Sequence, residues 1–323
     1  MPKTISNNPS DRQAYIITGP TSGIGRHTAL ELARHGTVVL VGRDRQKLDE
    51  VQKITGQKRQ QAVPVVCDLS EPASVRRAAA EIVALHLPIA GLLNNAGIMQ
   101  MRPTKNSLGW DMSFATNHLG PFALTEALVP HLPDGANIVF VVSGVEDPER
   151  PPVKIMRMRG GRYISAEAGT RGEWQQPGSK IPGMDAYATS KQCNLASVMV
   201  LARELPRLRI NAVEPGINPA TGLGGANGFM RFLFGQIITR LPPFNRYRST
   251  PDRAARVITK IVTDNSVETG TYYDQMGRPM VGSALVRDPK FQDRVVAETR
   301  ALLSTIPMTA PQPSVRPVPS DHP

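Results

Sequence analysis

Short apolar runs alternate with longer amphipathic ones along most of the chain. AYIIT at 14–18 reads as a buried strand that runs straight into glycines. ALELARHG follows with helical spacing and stops at Gly36, a natural C-cap. TVVLVG at 37–42 is a continuous apolar strand, the kind a parallel sheet uses when both faces are covered. The alternation then repeats. It predicts a helix over 45–54, a strand at 62–67 and a helix over 73–85. A strand at 91–94 precedes a long helix near 111–131, and a strand at 137–142 precedes a helix over 184–205 and a last strand at 209–213. Strands alternating with helices build βαβ units, so the expected fold is α/β, a doubly wound parallel sheet of the Rossmann type.

Two stretches break the rhythm. Residues 145–183 are rich in Pro, Gly and Arg without a period, and read as a loop insertion at the sheet edge. Residues 222–247 open on glycines and continue into FMRFLFGQIITRLPPF. There Phe229, Leu233, Ile237 and Leu241, with Met230, Phe234 and Ile238 beside them, form an apolar stripe. This segment is either a lid over an apolar substrate, with Phe232 or Phe234 near it, or an ordinary packed helix or dimer contact. The expected organisation is a flexible leader at 1–13, one domain over 14–305 and a Pro-rich disordered tail at 306–323.

Composition narrows the function classes. Lys and Arg number 38 against 27 Asp and Glu, a net charge of +11 that raises nucleic acid or an anionic membrane surface as partners. No helix-turn-helix, zinc or aromatic-basic signature accompanies the charge, so no nucleic-acid partner is expected. The densest basic run, Arg150, Lys154, Arg157, Arg159 and Arg162, reads as a solvated, mobile loop, with weak peripheral membrane contact as the lesser option. Two cysteines, Cys67 and Cys193, exclude a disulfide framework and a CxxC metal pair, so no metal site is expected. The cysteine usage and the lack of a signal-peptide pattern suggest a cytoplasmic location.

The first strand leads into Thr18-Gly19-Pro20-Thr21-Ser22-Gly23-Ile24-Gly25 and then a helix. Gly19, Gly23 and Gly25 allow a pyrophosphate to approach backbone N–H groups where a Cβ would block it. Strand, turn and helix are the context that gives such a triplet meaning. An acidic residue at the end of the second strand would select NAD; this chain has Gly42 and then Arg43, which can pair with a 2′-phosphate. NADP(H) is therefore favoured over NAD(H), with Arg45 and Lys47 adding field. Asp68 and Leu69 follow the third strand, where an adenine edge could be read; a helix cap is the plainer role for Asp68, with Ser70 competing for it. Tyr187 and Lys191 are four residues apart in YATSK, on one face of a helix. A lysine ammonium beside a phenol favours the phenolate, which suits acid–base work.

Together these segments resemble the short-chain dehydrogenase/reductase family. The carriers are TGPTSGIG (18–25), NNAG (94–97), Asn117 in FATNHLG, Ser143 in VVSG, YATSK (187–191) and Pro215-Gly216 in VEPG, in the family's order. The resemblance implies a catalytic tetrad. Tyr187 would donate or accept the proton, Ser143 would bond the substrate oxygen, Lys191 would bind the nicotinamide ribose and tune Tyr187, and Asn117 would hold a water. It also implies that Asn94, Ala96 and Gly97 line the adenosine side and that Pro215, Gly216 and Ile217 meet the nicotinamide carboxamide. Within the family, NNAGIM and VGRD are similar to retinol-dehydrogenase-like members. PGINPATGL, LPPFNRY, ETGTYYD and SKQCN are similar to protochlorophyllide reductases. Those photoenzymes carry cysteine where this chain has Ile217, and the 44-residue step from Ser143 to Tyr187 is longer than the family's usual one. The expected activity is NADP(H)-dependent hydride transfer between nicotinamide and the carbonyl or alcohol of a small apolar substrate. A non-catalytic NADP-binding regulator and a C=C reductase are the alternatives. The family also often forms homo-oligomers through the YxxxK helix.

Overall fold

The computed structural model describes residues 13–56, 61–218 and 238–307. The leader, most of the apolar stripe at 222–247 and the tail from 308 lie outside the described residues.

Eight strands form one sheet in the order β3-β2-β1-β4-β5-β6-β7-β8. The strands are β1 Ala14–Thr18, β2 Thr37–Gly42, β3 Ala62–Val66, β4 Ile89–Asn94, β5 Asn137–Val141, β6 Arg209–Val213, β7 Tyr272–Tyr273 and β8 Pro279–Met280. All neighbours pair in parallel except β7 with β8. The order reverses at β1, which pairs with both β2 and β4. That reversal opens the crevice where ligands bind in sheets of this type. β7 and β8 are two residues each, too short to show a period.

Successive residues of each strand face opposite sides, which makes two cores. Ile16, Val39, Leu92, Ile138 and Ile210 join Phe114, Phe122, Leu195 and Val295 on one side. Ile17, Leu40, Leu93, Val139 and Val213 join Leu32, Leu48 and Ile258 on the other. This two-sided burial is why the strands read as unbroken apolar runs.

The helices are α1 Gly23–Leu32, α2 Arg45–Gly56, α3 Pro72–Ala84, α4 Met112–Phe114, α5 Gly120–Leu128, α6 Pro151–Ile155, α7 Ala166–Arg171, α8 Pro182–Glu204, α9 Pro251–Val262 and α10 Pro289–Ser304. The long helix expected near 111–131 is interrupted by a π-helical turn, Ala115–Leu119, between α4 and α5. The insertion is not a loose loop. Tyr163 is buried and its hydroxyl donates to Glu298 Oε2 on α10 at 2.7 Å. Trp174 packs edge-on to Phe114, and the Arg162 N–H bonds Thr189 Oγ1 on α8. Small residues permit this: a Cβ on Gly161 would run into the Gln192 side chain, and one on Gly169 into the Phe114 ring.

Helix α8 is enclosed on every side, with nearly all of residues 183–202 buried. A polar chain ties it to its cover. His118 of the π turn bonds Asn194 Oδ1 on α8 and Thr299 Oγ1 on α10, each at 3.0 Å. Burial pulls the His118 pKa down to about 4, so the imidazole is neutral at physiological pH. The helix that the sequence offered as an oligomer contact is thus covered by this chain's own α10 and insertion. Hydrogen exchange compared at low and high protein concentration is expected to show no added protection on α8. A dimer in which hydrogen exchange maps protection to new contacts on α8 would contradict this packing.

Candidate active site

The glycine turn after β1 is built by close approach. Gly19 has φ +67°, and a Cβ on it would stand 2.9 Å from Ala96 Cα. A Cβ on Gly25 would collide with the carbonyl oxygen of Gly19. Thr18 Oγ1 accepts from the N–H groups of Asn95 and Ala96 at 3.0 Å each, and Asn95 Nδ2 donates to the carbonyls of Thr18 and Gly19. The loop after β4 therefore braces the turn after β1. Thr18 and Asn95 were missed as site residues by sequence reasoning, although both stand inside quoted motifs. Asn94 turns its side-chain amide into the core, where it is buried and donates to Thr125 Oγ1 at 2.9 Å, because strand alternation faces it away from its neighbour.

The turn fits an anionic dinucleotide. Helix α1 has Ser22 at its N-cap without a side-chain bond and no acidic residue in its first turn, so its leading N–H groups suit a phosphate. Thr21, Gly23 and Ile24 lie in the same turn. Arg43 is exposed at the end of β2 and has no carboxylate partner among the described residues. Asp44 is occupied by Lys47, whose N–H and Nζ both reach it, and Arg45 pairs with Asp49 at 2.9 Å. The field expected from Arg45 and Lys47 is thus largely cancelled by their own neighbours. Asp68 is not a helix cap: its Oδ1 accepts from the N–H and Oγ of Ser70, and the N-cap of α3 is Glu71. Leu69 is buried against the first turn of α5, where Gly120 leaves room for its carbonyl.

The π turn sets Asn117. Its Oδ1 accepts from the Ile98 N–H, and its Nδ2 donates to the Ile98 carbonyl and to Ser190 Oγ. The side-chain amide of Asn117 is committed to Ile98 and Ser190, and the Asn117 carbonyl accepts from Asn194 Nδ2 at 2.8 Å. Asn117 thus clamps the strand exit. It places Gly97 where a Cβ would stand 3.4 Å from Lys191 Nζ. Lys191 is 3% exposed, donates to the Val141 carbonyl at 2.8 Å and lies 5.7 Å from the Tyr187 ring centre. Burial pulls its pKa down to about 8. Burial pushes the half-buried Tyr187 phenol up to about 12, the neighbouring Ser143 hydroxyl lowers it, and the Glu214 charge raises it. Asn117, Ser143, Tyr187, Lys191 and Gly97 are brought together at the ends of β4 and β5. Gly216, at φ +76°, leads Ile217 into bonds with Tyr247 and Ser249: the Ile217 N–H donates to Tyr247 O at 2.7 Å. The Pro215 and Gly216 carbonyls both accept from Asn218 Nδ2. Of the apolar stripe, Leu241 is exposed; Phe229, Met230, Phe232, Leu233, Phe234 and Ile237 lie outside the described residues.

Three residues after Ser143, Glu146 is fully buried, with Oε1 accepting from the Ser283 N–H at 2.9 Å. Burial raises its pKa from 4.5 to about 7. The folded state therefore holds a proton that the unfolded chain releases. This contribution to stability is present below about pH 4.5 and lost as pH rises through 7. Glu146→Gln is expected to raise the melting temperature by several degrees at about pH 8, for roughly 1–3 kcal/mol, and to give no gain near pH 4.5. Equal shifts at both pH values in differential scanning calorimetry would contradict it.

The family model described as short chain dehydrogenase matches residues 13–152. Human retinol dehydrogenase 13 is 28% identical over 315 residues, 95% of this chain and 88% of that protein. Chloroplastic protochlorophyllide reductase B of Oryza sativa subsp. japonica is 26% identical and covers 84% of this chain and 73% of its own length. Among solved structures, a short chain dehydrogenase from Burkholderia cenocepacia J2315 in complex with NADP superposes with TM-score 0.62 at 21% identity, covering 82% of this chain and 96% of that one. Among the described residues no helix is long and apolar enough to cross a membrane. With its nucleotide turn and its serine, tyrosine and lysine at the strand ends, the chain belongs to the short-chain dehydrogenase/reductase family, as an NAD(P)-dependent oxidoreductase acting on CH–OH and C=O groups.

Proposed function

We propose that the chain uses NADP(H) to interconvert an apolar alcohol and its carbonyl compound, with Tyr187 as the acid–base group. The observation that carries this reading is the pairing of Tyr187 with Lys191 on one face of α8 and with the Ser143 hydroxyl. When bound, the nicotinamide supplies or accepts the hydride. In reduction, Tyr187 Oη gives its proton to the oxygen of the substrate as the carbonyl carbon gains the hydride. Ser143 Oγ donates to the same oxygen and steadies its charge. Lys191, anchored on Val141 O, favours the phenolate left behind; in oxidation that phenolate takes the alcohol proton. Asn117 fixes the Ile98 backbone and so keeps Gly97 open beside Lys191.

Arg43 supports NADP(H): it is exposed at the end of β2 with no carboxylate partner among the described residues, while Asp44 is taken up by Lys47. The likeness to a retinol dehydrogenase supports an apolar, isoprenoid type of alcohol or aldehyde. The likeness to a protochlorophyllide reductase keeps enones in the test panel, although Ile217 stands where those enzymes carry cysteine.

NADPH oxidation with retinal, citral, ketones, quinones and enones tests this reading. Tyr187→Phe is expected to lower turnover by about 100-fold or more on whichever carbonyl compound is reduced. A Tyr187→Phe variant with unchanged turnover would contradict it. Arg43→Ala is expected to raise KM for NADPH by about ten-fold and leave KM for NADH within about two-fold. Equal changes for both cofactors would remove the basis for the preference.

A further inference from the structure

The C-terminal helix α10 reaches the active site through a chain of hydrogen bonds that no step above uses. Thr299 of α10 lies against the His118 imidazole in the π turn, with Oγ1 3.0 Å from Nε2. On the other side of the ring, Nδ1 lies 3.0 Å from Asn194 Oδ1 on α8. Asn194 Nδ2 donates to the backbone carbonyl of Asn117 at 2.8 Å. The Asn117 side-chain amide donates to Ser190 Oγ at 3.1 Å, and that hydroxyl donates to the Tyr187 carbonyl at 2.7 Å. Thr299, His118, Asn194, Asn117 and Ser190 are all buried.

One fixed end sets the hydrogens along this chain. A backbone carbonyl only accepts, so the Asn194 atom that faces Asn117 is its NH2 group. The atom that faces His118 is then the amide oxygen, which also only accepts, so His118 Nδ1 carries a hydrogen. The ring has Phe114 and Phe122 beside it, with centroids 5.2 and 6.1 Å away, and burial keeps it neutral. A neutral imidazole has one N–H, so Nε2 is bare and takes a donor. The Thr299 hydroxyl is that donor, in competition with the Val295 carbonyl at 2.7 Å. The donors thus run one way, from Thr299 through His118 and Asn194 to Asn117.

A satisfied buried network rigidifies what it joins, and this one joins the π turn. The turn carries the clamp on Ile98, whose N–H donates to Asn117 Oδ1 and whose carbonyl accepts from Asn117 Nδ2. Gly97, the residue before Ile98, stands beside the Lys191 ammonium. We propose that Thr299 and His118 are positioning residues for this clamp. The Thr299 hydroxyl holds His118 in its Nδ1–H form, and that form holds Asn194 on the Asn117 carbonyl. The C-terminal helix is then a working part of the site. The proposal rests on the reading of Tyr187 and Lys191 as the pair that handles the proton.

Two readouts need no substrate. Heteronuclear NMR of isotopically labelled histidine shows which ring nitrogen carries the hydrogen, and the peaks lost in His118→Phe identify His118. The Nδ1–H form is expected at neutral pH; the Nε2–H form or a protonated ring overturns the chain. Amide exchange at Ile98 is expected to be about ten-fold faster in Thr299→Val, which keeps the shape and removes the hydroxyl, and within about two-fold of the parent in Thr299→Ser. The third readout is turnover of a carbonyl compound that the parent reduces, well below the melting temperature. Thr299→Val is expected to lower kcat about five-fold with KM for NADPH within about two-fold, and Thr299→Ser to keep the parent's kcat. Parent-like exchange at Ile98 or parent-like kcat in Thr299→Val overturns the positioning role. If His118→Phe does not fold, the histidine whose peaks move in Thr299→Val is His118, and the two Thr299 variants still decide. Turnover of Tyr187→Phe tests the preceding reading separately, so the two failures are distinguishable.

Discussion

Holding one lysine ammonium inside the fold is the constraint on which the active site depends. Lys191 is buried and, among the described residues, its hydrogen bond goes to the single carbonyl of Val141 at the end of β5. An ammonium taken out of water costs several kcal/mol unless its donors are satisfied, which is why its pKa falls. The chain accepts that cost by enclosing α8 over residues 183–202. The insertion covers one side, α10 another, and His118 ties the π turn to both helices. The irregular turn at Asn117 follows from the same need. A regular helix from 111 to 131 would not hand Asn117 to the Ile98 backbone, and Gly97 would not be held open beside the ammonium.

The sheet and the nucleotide turn were legible because local pattern and tertiary role coincide there. Two-sided burial writes apolar runs into β1 to β6, and close backbone approach writes glycine into positions 19 and 25. The spacing of Tyr187 and Lys191 was legible for a similar reason, since one helical turn puts them together. Asn95 was harder to see. Two adjacent asparagines look alike in a sequence, and strand alternation decides that one faces the core and the other the glycine turn.

The insertion was misjudged because its burial is not periodic. It packs through glycines at 161 and 169, a tyrosine hydroxyl on Glu298 and a backbone N–H on Thr189. None of these leaves a hydrophobic stripe. Of the basic run, Lys154, Arg157 and Arg159 are exposed, as a solvated loop would have them. Arg150 is the exception, buried by an acidic partner far along the chain, and Arg162 donates to the carbonyls of Gln175 and Gln176. The charge that suggested an anionic macromolecule is in part spent inside this chain.

The central claim is that α8 is held around a buried ammonium for chemistry rather than for stability. Lys191→Met tests it most directly, by thermal unfolding, NADPH fluorescence titration and turnover on one preparation. The account predicts a melting temperature at or above the parent's, since an apolar side chain replaces a desolvated charge. It also predicts NADPH binding weakened about ten-fold and turnover lowered about 100-fold or more. A variant that melts early yet binds and turns over as the parent does would make Lys191 a structural residue and contradict the account.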